Sequence, residues 1–584
     1  MQPVDYTTLM AVRAELVRDW IPSRIEQVFQ RDLFTIAIAL RTLKTKAWLT
    51  ICWHPQAARI NIGEAPPRSR DTFTFSDQLR HQLNNLALID VAAVAPWERV
   101  LDLQFAQRPG EKPLWHFYTE IMGKYSNAIL TDASLNIVAP ARQISSSQSS
   151  VRPIQTGAKY ELPPPITKTA PRLEESFSSW QERVSLIPGN LKQQLINSYR
   201  GLSPKVAAEI INSAQLSTQQ STADLLERDW QELFDYWQKW LKSLANREFI
   251  PGWTNDGYTV LGWQKTESVK NVQILLDRYY REQLNQQQFQ QLHHQLSQKL
   301  NSLLEKAIRK ADTFSQRLAQ SADADISRQQ ADLLMANLYK WQPGMKSIAL
   351  SDFETGEPIK IKLNPEQNAV TNAQSLYKQH QKLKRAKDAV RPLLADTEAE
   401  INYLQQVKTA LERLENDWNA SDNKRSNRSL EDLQALQEIR QELVQQSYLT
   451  SERQEDTRQD NKDFQPYRYT TPSGFELWIG RNNRQNDWLT FRIANEYDLW
   501  FHTQEIPGSH ALLRLEPGAI PDEKDLQFAA NFAAYYSQAR QSEIVPVVYT
   551  QPKHVYKPKG AKPGMAIYKQ ETVIWGRPQT VTKN

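Results

Sequence analysis

Two arginines and four side-chain amides follow one another near the C-terminal end of the sequence. These residues are Arg481, Asn482, Asn483, Arg484, Gln485 and Asn486. Guanidinium groups present paired donors to phosphate oxygens, and side-chain amides can bind the edges of bases. A turn does not require six consecutive polar residues, so this segment is predicted to be a loop that binds RNA.

Strand patterns surround that loop. Residues 475–479 alternate apolar and polar side chains, as in a half-buried strand, and Gly480 ends the run. A second strand is predicted over 498–502, which ends in His502, and His510 follows shortly after it. The two histidines could contact RNA, or they could form hydrogen bonds inside the core.

A basic segment lies further along the chain. From Gln551 to Arg577, six lysine and arginine residues stand against one acid, Glu571, which gives a local net charge of +5. Prolines restrict this segment, so its lysines lose less conformational entropy when they bind phosphate. The candidate contacts are Lys553, Lys557, Lys559 and Lys562.

The composition limits the class of protein. The 584 residues are enough for about four domains of ~150 residues each. Charged residues make up 23% of the chain, and the formal net charge of +5 is compatible with nucleic-acid binding. Cys52 is the only cysteine, which excludes a disulfide framework and a cysteine-based zinc site and fits a reducing cytoplasm.

Nothing in the sequence predicts a membrane protein or an enzyme. The first residues lack a basic region followed by an apolar run, and no apolar stretch approaches the ~20 residues of a membrane span. The nine histidines are scattered, and the HExxH, P-loop and nucleophile-elbow motifs are absent. We therefore expect a soluble, cytoplasmic binding protein without catalytic residues, a metal site or a cofactor.

The N-terminal part has the pattern of an α+β domain. An amphipathic helix is predicted over 5–20. Strands are predicted over 24–29, 33–38, 47–53 and 58–62. Residues 100–105 and 113–118 predict a β-hairpin, and the domain should end near Ala139.

A stretch rich in Ser, Pro and Gln follows over 141–180 and is typical of a linker. Two short helical patterns then meet at the turn 201–204 and resemble a helix-hairpin-helix, whose backbone amides can bind phosphate. This motif and a helical connector are predicted over 181–265.

Long helical patterns occupy 266–450. Apolar residues recur at 3-4-4 spacing over 289–318 and at seven-residue intervals over 376–418. They predict an antiparallel intramolecular arm, with a β-hairpin near 345–364 beside its base or at an interruption; a coiled-coil dimer is the alternative. Pro392 should kink or break the second helix. The arm's tip is predicted at Asn416–Arg428, before a third helix.

Several uncommon strings carry a resemblance to a known family. The N-terminal ones are RIEQVFQ, RINI and EIMGKYSNAIL, and the C-terminal ones are SGFELWIGRNNRQND, DLWFHTQEIPGSH, AAYYSQARQS and VVYTQPKHVYKPKGAKPGM. The first set resembles the NFACT-N domain and the second the RNA-binding NFACT-R module of the NFACT family of ribosome-quality-control proteins.

The resemblance implies an α+β multidomain fold. Its parts are an NFACT-N domain over 1–140, the linker, the helix-hairpin-helix, a long antiparallel coiled coil, a hinge over 451–465 and a C-terminal α/β NFACT-R domain over 466–584.

The resemblance also implies a function and partners. Such a protein binds a stalled large ribosomal subunit that still holds peptidyl-tRNA, through contacts with ribosomal RNA, and recruits alanyl-tRNA. It directs template-free C-terminal alanine tailing, which marks the nascent chain for degradation. The ribosome supplies the peptide-bond chemistry, so we expect a binding factor that acts as a monomer on the ribosome.

For tRNA binding, the resemblance implies two clusters in the N-terminal domain. They comprise Glu98, Arg99, Glu120, Ile121, Met122 and Lys124. The family has an Asp-Arg pair where this sequence has Glu98-Arg99, and it exposes the Glu-Ile-Met triplet. A surface ion pair of ~0–1 kcal/mol is the alternative interpretation of Glu98 and Arg99.

Two other functions are weighed against this one. The first is a surface adhesin that binds fibronectin, which the missing signal peptide disfavours. The second is a DNA- or RNA-binding repair-type protein, because NFACT-N resembles formamidopyrimidine-DNA glycosylase. That enzyme needs an N-terminal proline amine, and the nitrogen of Pro3 is an internal amide here.

Overall fold

The computed structural model describes residues 1–66, 71–164, 167–321, 324–420, 426–450 and 464–581. The chain forms two compact units, Met1–Leu284 and Asn285–Asn584. Within the described ranges, no helix combines the length and the apolar character that crossing a bilayer requires.

The first unit is built on a nine-stranded antiparallel sheet. Its order is β4-β3-β2-β1-β5-β6-β7-β8-β9. The strands are β1 Ser23–Asp32, β2 Thr35–Arg41, β3 Lys46–Cys52, β4 Arg59–Gly63, β5 Ala87–Ala93, β6 Val100–Ala106, β7 Trp115–Glu120, β8 Asn127–Asp132 and β9 Ile137–Pro140. The four N-terminal strands and the hairpin of β6 and β7 confirm the sequence predictions.

Two helices complete this domain, α1 Tyr6–Trp20 and α2 Thr74–Leu83. The predicted helix α1 begins where it does because the carboxylate of Asp5 accepts a hydrogen bond from the Thr8 backbone N–H at 2.8 Å. Leu9, Val12 and Leu16 of α1 are buried in the core beneath the sheet.

Part of the segment predicted to be a linker folds against the sheet. Ile144 and Ile154 pair through an antiparallel bridge. The buried ring of Tyr160 stacks on Tyr118 with ring centroids 3.8 Å apart. This part of the segment therefore forms a small apolar cluster together with residues of the sheet.

A helical bundle follows in the same unit. Its helices are α3 Phe177–Ser185, α4 Leu191–Ser198, α5 Pro204–Ser213 and α6 Glu227–Asn246. Trp180, Trp237 and Trp240 are fully buried among them. Three short strands complete the unit, β10 Gly252–Thr254, β11 Gly257–Thr259 and β12 Glu267–Ser268.

The turn between α4 and α5 matches the predicted helix-hairpin-helix. Gly201 has φ +75° there, and a Cβ at this position would lie 2.6 Å from a ring carbon of Trp97. Both the left-handed backbone and the close approach of the indole require glycine.

The long helices have the predicted antiparallel order. They are α7 Val272–Ser321, α8 Ala324–Ala336, α9 Ala369–Ala420 and α10 Ser426–Gln445, with a hairpin of β13 Ser347–Ser351 and β14 Pro358–Lys362 between α8 and α9. The predicted break of the second helix at Pro392 is wrong, because α9 continues through this residue. One lost hydrogen bond within 52 residues is offset by the helical turns on both sides.

The predicted position of the arm's tip is wrong, whereas the hairpin interrupts the helices between α8 and α9, the second of its two predicted positions. The β13–β14 hairpin packs with α8 and the start of α9 in a separate core. At the other end of α9, the rings of Phe289 and Trp418 stack at 4.1 Å. At 1.5 Å per residue, about 60 Å of helix separates Ala373 from Arg413. Residues 421–425 of the predicted tip lie outside the described residues, but their neighbour Asp417 accepts a hydrogen bond from Tyr467 of the C-terminal module at 2.8 Å.

The C-terminal module contains a six-stranded antiparallel sheet of order β15-β16-β18-β17-β19-β22. The strands are β15 Tyr467–Thr470, β16 Glu476–Ile479, β17 Leu499–Thr503, β18 Ala511–Leu513, β19 Val545–Thr550 and β22 Thr572–Gly576, and β20 Val555–Tyr556 pairs separately with β21 Ile567–Tyr568. Helix α12, Glu523–Tyr535, packs on one face. Helix α11, Asn483–Trp488, continues as a π-helical turn over Leu489–Ile493 on the other.

The segment 481–487 is therefore not the loop that its polar composition predicts. Asn482 caps α11 by accepting a hydrogen bond from the Gln485 backbone N–H at 3.0 Å. Asparagine favours a helix N-cap because its side-chain oxygen satisfies a free backbone donor. The same amide composition thus starts a helix.

Candidate nucleic-acid interface

Arg481 is buried between the C-terminal module and the arm. Its guanidinium forms ion pairs with Glu431 at 2.5 Å and with Asp432, both on α10, and donates from Nε to the carbonyl oxygen of Gln465 at 2.7 Å. The group lies over the Tyr467 ring, 4.0 Å from its centroid. The donors that the sequence offers to phosphate are occupied within the chain.

Three amides of the same segment bind carboxylates of α10. Asn482 and Gln485 donate to Glu438 at 2.7 and 2.8 Å, and Asn483 donates to Glu442 at 3.1 Å. Burial raises the pKa of Glu442 to about 7, although the hydrogen bonds that it accepts oppose the shift. This network joins α11 to α10 through buried polar contacts.

Arg413 of α9 strengthens the same junction. It donates to the Ser509 hydroxyl at 2.6 Å and to the backbone oxygens of Tyr536 at 2.7 Å and Arg481 at 3.0 Å. The residue is 5% exposed. Sequence analysis did not identify Arg413, because nothing local distinguishes it from the solvent-facing charges of a long helix.

Asn486 and His510 are buried inside the module, and the ring of the half-buried His502 lies against that of His510. Asn486 accepts a hydrogen bond from the backbone N–H of His510 at 3.1 Å, and Nδ1 of His510 lies 2.7 Å from the Thr490 hydroxyl. Burial lowers the pKa of His510 far below its usual value and that of the half-buried His502 to about 4. Both shifts favour the neutral imidazole, a form that suits hydrogen bonding in a core better than binding of a phosphate.

The four lysines of the basic segment differ in their surroundings. Lys553 and Lys559 are exposed. Lys557 forms an ion pair with Asp487. Lys562 lies over the rings of Tyr403 and Tyr448, at 4.6 and 4.8 Å. Burial lowers the pKa of Lys562, and Glu400 opposes that shift. Of these four lysines, Lys553 and Lys559 are thus the exposed ones for which the structure records no ion pair or ring contact with a described residue.

Arg484 differs from its neighbours because it is only half-buried. Its Nη1 donates to the side-chain oxygen of Gln441 at 2.7 Å, and its guanidinium lies over the Phe464 ring at 5.5 Å. Arg484 therefore lines a surface cleft.

The two N-terminal clusters lie side by side. The backbone N–H of Ile121 donates to the Arg99 carbonyl at 2.9 Å, at the paired ends of β6 and β7. Burial raises the pKa of Glu98, and the charges of Arg200 and Arg99 oppose the shift. Arg200 belongs to the α4–α5 turn, so the helix-hairpin-helix faces the Glu98–Arg99 pair, a neighbour that sequence analysis did not find.

The Glu-Ile-Met triplet is mostly inside the protein. Glu120 is fully buried and forms a bidentate ion pair with Arg152 at 2.5 and 3.0 Å, while it accepts a hydrogen bond from Tyr160 at 2.9 Å. Ile121 is 2% exposed. The exposure of the triplet that the family implies is therefore wrong for these two residues, because Arg152 and Tyr160 of the following segment cover Glu120.

Met122 and Lys124 remain nearer the surface. Met122 is half-buried, and its backbone N–H donates to the Ser126 hydroxyl at 2.8 Å. Lys124 is exposed and lies over the exposed ring of Tyr125, 5.0 Å from its centroid. The pair presents a cation and an aromatic face together.

Comparison with known proteins assigns the class. Residues 5–462 match the NFACT N-terminal and middle domains, and residues 465–569 match the NFACT protein RNA binding domain. The chain therefore contains an RNA-binding domain, and since the first match spans more than half of it, the chain belongs to the NFACT family.

The individual relatives are similar over nearly their whole length. The chain is 29% identical to the Rqc2 homolog RqcH of Bacillus subtilis (strain 168), over 97% of this chain and 96% of that protein. It is 28% identical to the Rqc2 homolog RqcH of Streptococcus suis (strain 05ZYH33), over 96% and 95%. These similarities support a role in ribosome quality control as a binding factor.

Solved structures are also similar, among them one from Streptococcus suis. It is the C-terminal part of the fibronectin/fibrinogen-binding protein from Streptococcus suis, which is 29% identical to this chain. The match covers 50% of this chain and 95% of that chain, with a TM-score of 0.37.

Proposed function

We propose that this protein binds stalled large ribosomal subunits that hold peptidyl-tRNA, recruits alanyl-tRNA and directs template-free C-terminal alanine tailing. The observation that carries the proposal is the near-full-length similarity to two Rqc2 homologues, together with the RNA-binding domain. The ribosome supplies the peptide-bond chemistry. The chain then acts in the cytoplasm as a monomer on the ribosome and needs no cofactor of its own.

The contacts with ribosomal RNA divide into two roles under this proposal. Lys553 and Lys559 are exposed and can bind phosphate directly. Arg481 acts through its ion pairs with α10, which fix the module on the arm. Because its guanidinium is buried, Arg481 contributes to ribosome binding by holding the module on the arm and not by contacting RNA.

For tRNA, the proposed surface combines the two N-terminal clusters with the α4–α5 turn. Arg99 and Arg200 supply positive charge beside Glu98, and Lys124 with Tyr125 supplies an exposed cation and ring. Glu120 and Ile121 support this surface from beneath, since both are buried. Charge and aromatic faces of this kind suit the phosphates and bases of an RNA loop.

The first test measures the RNA that copurifies with the protein. We expect more recovery with large subunits carrying peptidyl-tRNA than with intact ribosomes, and tRNA sequencing should show an excess of alanine isoacceptors. Equal recovery with intact, translating ribosomes would contradict the proposed substrate. An even mixture of tRNAs would contradict alanine selection.

The second test separates tRNA binding from ribosome binding. Arg99→Ala should lower copurified tRNA per large subunit by roughly 10- to 100-fold, because one charge-assisted hydrogen bond is worth about 1.5–3 kcal/mol. Arg108→Ala is the matched control, since Arg108 is an exposed arginine on the β6–β7 hairpin. Wild-type tRNA content in Arg99→Ala would contradict a role of Arg99 in tRNA binding.

A further inference from the structure

A surface cleft lies where the end of α10 meets the outer side of α11. Its volume is about 380 Å³. That is near the lower end of the ~300–1,000 Å³ typical of small-ligand sites, a size that suits one nucleotide and excludes a double helix. Its lining includes Phe464, Trp488, Phe491, Arg484, Arg492 and Lys557.

The walls of the cleft are aromatic. The rings of Phe464 and Trp488 meet edge to face with centroids 5.7 Å apart, and Phe491 follows on the π-helical turn. Beyond Trp488, the Trp478 ring lies nearly parallel to it at 6.4 Å, with the guanidinium of Arg468 at 4.3 Å over its face. All three wall residues are half-buried, so their ring faces are partly open to solvent.

The cations of the cleft surround these rings. Arg484 lies over Phe464 at 5.5 Å, and Lys557 lies over Phe491 at 6.0 Å. Arg492 is exposed, and among the described residues its side chain has no hydrogen bond or ion pair. Three cations thus stand against one carboxylate in the cleft, Asp487, which is bound by Lys557 and by the Gly564 backbone N–H.

We propose that this cleft binds an unpaired base of single-stranded RNA, with the aromatic walls stacking on the base and the surrounding cations binding the adjacent phosphates. Proteins that bind single strands without strong sequence preference combine these two features. A stacked ring accepts any base, and a nearby guanidinium neutralises phosphate and adds a cation–π contact.

The fold explains why the cleft exists. Buried contacts of α11 with Glu438 and Glu442 fix α11 against α10, and Gln441 holds Arg484 toward Phe464. Aromatic and cationic side chains are therefore preorganised, which reduces the entropy lost on binding. The inference deepens the proposed function, on which it rests, by naming the form of RNA that this domain accepts.

The test uses the full chain and fluorescein-labelled RNA octamers of uridine or adenosine, with a duplex of mixed sequence for comparison. Anisotropy should show binding of both single strands and at least tenfold weaker binding of the duplex. Trp488→Ala and Phe491→Ala should each weaken single-strand binding by roughly 5- to 100-fold, the usual loss for one stacked base. Trp575→Ala is the control, because Trp575 is 59% exposed on β22 and lies outside the cleft.

A second pair of variants covers the case in which loss of an aromatic residue disturbs the fold. Arg492→Glu alters an exposed side chain and should reduce the slope of log affinity against log salt by about 0.7, the value for one phosphate contact on a single strand. Lys524→Glu makes the same charge change on α12, which packs on the opposite face of the sheet, and should leave the slope unchanged.

The outcomes separate this inference from the proposed function. If wild-type protein binds no single strand but still cosediments with large subunits, the cleft proposal fails and the proposed function stands. If it binds the octamers through Trp488 and Arg492 but never enriches large subunits, the proposed function fails alone. Equal affinity for the duplex, or wild-type binding in all cleft variants, would also overturn the cleft proposal.

Discussion

Removing the Arg481 guanidinium should loosen the C-terminal module from the arm. Arg481 is 3% exposed and Asp432 is 1% exposed, so Arg481→Ala breaks an ion pair that is buried on both sides. Breaking a buried ion pair in this way costs about 3–5 kcal/mol. Arg484→Ala removes a half-buried hydrogen bond to Gln441. It should cost at most about 1.5 kcal/mol, because water reaches the group left behind.

Hydrogen exchange measures this difference in the full chain without assuming two-state unfolding. The relevant amides are those of α10 and α11. Since 1.4 kcal/mol is a tenfold change, a loss of about 3 kcal/mol should accelerate their exchange by roughly 100-fold or more in Arg481→Ala. The same amides in Arg484→Ala should exchange about tenfold faster at most.

A double-mutant cycle identifies the cause. Asp432→Ala combined with Arg481→Ala removes both buried charges, so the double variant should recover part of the protection lost in the single variant. Glu431 is 38% exposed on its side chain and can be solvated without Arg481. Exchange in Arg481→Ala within threefold of wild type, or costs that simply add in the double variant, would refute the anchoring role.

Two further predictions concern a buried acid and a crowded glycine. Burial raises the pKa of Glu442 to about 7, above the ~4.3 of an unperturbed glutamate. The stability that this residue contributes is therefore complete below pH ~4.3 and is lost as pH rises through about 7. Glu442→Gln should flatten the plot of denaturation midpoint against pH over that range, and an unchanged profile would contradict the prediction. Gly201→Ala should lower the melting temperature more than Gly157→Ala, since both have positive φ but only Gly201 would place a Cβ 2.6 Å from Trp97. The expected extra cost of overpacking is ~1–3 kcal/mol, and equal shifts in the two variants would contradict it.

Local patterns allowed most of the secondary structure to be predicted. The alternation of 475–479 and the spacing of Leu9, Val12 and Leu16 each report which side chains face a core, and a strand or helix follows directly. The direction of the arm could not be obtained in this way. Facing apolar stripes show that α7 and α9 pair, but the stacking of Phe289 on Trp418 joins residues far apart in sequence and leaves no local signal.

The burial of Arg481 could not be predicted for a different reason. A run of arginine and amide side chains suits phosphate, and it suits equally well a second element that carries carboxylates at matching spacing. That element is α10, whose acids Asp432, Glu438 and Glu442 lie about one or two turns apart and are all buried. The spacing of these acids is visible in the sequence, but the apolar residues of α10, which predict the helix, do not show that its acids face a partner.

This distinction changes how a loss of RNA binding has to be interpreted. A variant of Arg481 perturbs the junction of α10 and α11, and it therefore also perturbs every surface residue that the junction positions, including the aromatic walls of the cleft. Arg492 is exposed and takes no part in that junction, so its replacement removes a charge while leaving the junction intact. If Arg492→Glu weakens RNA binding while α10 and α11 keep their wild-type exchange protection, the loss is a loss of phosphate contact. If RNA binding falls only in variants that also lose this protection, the module acts through its position on the arm.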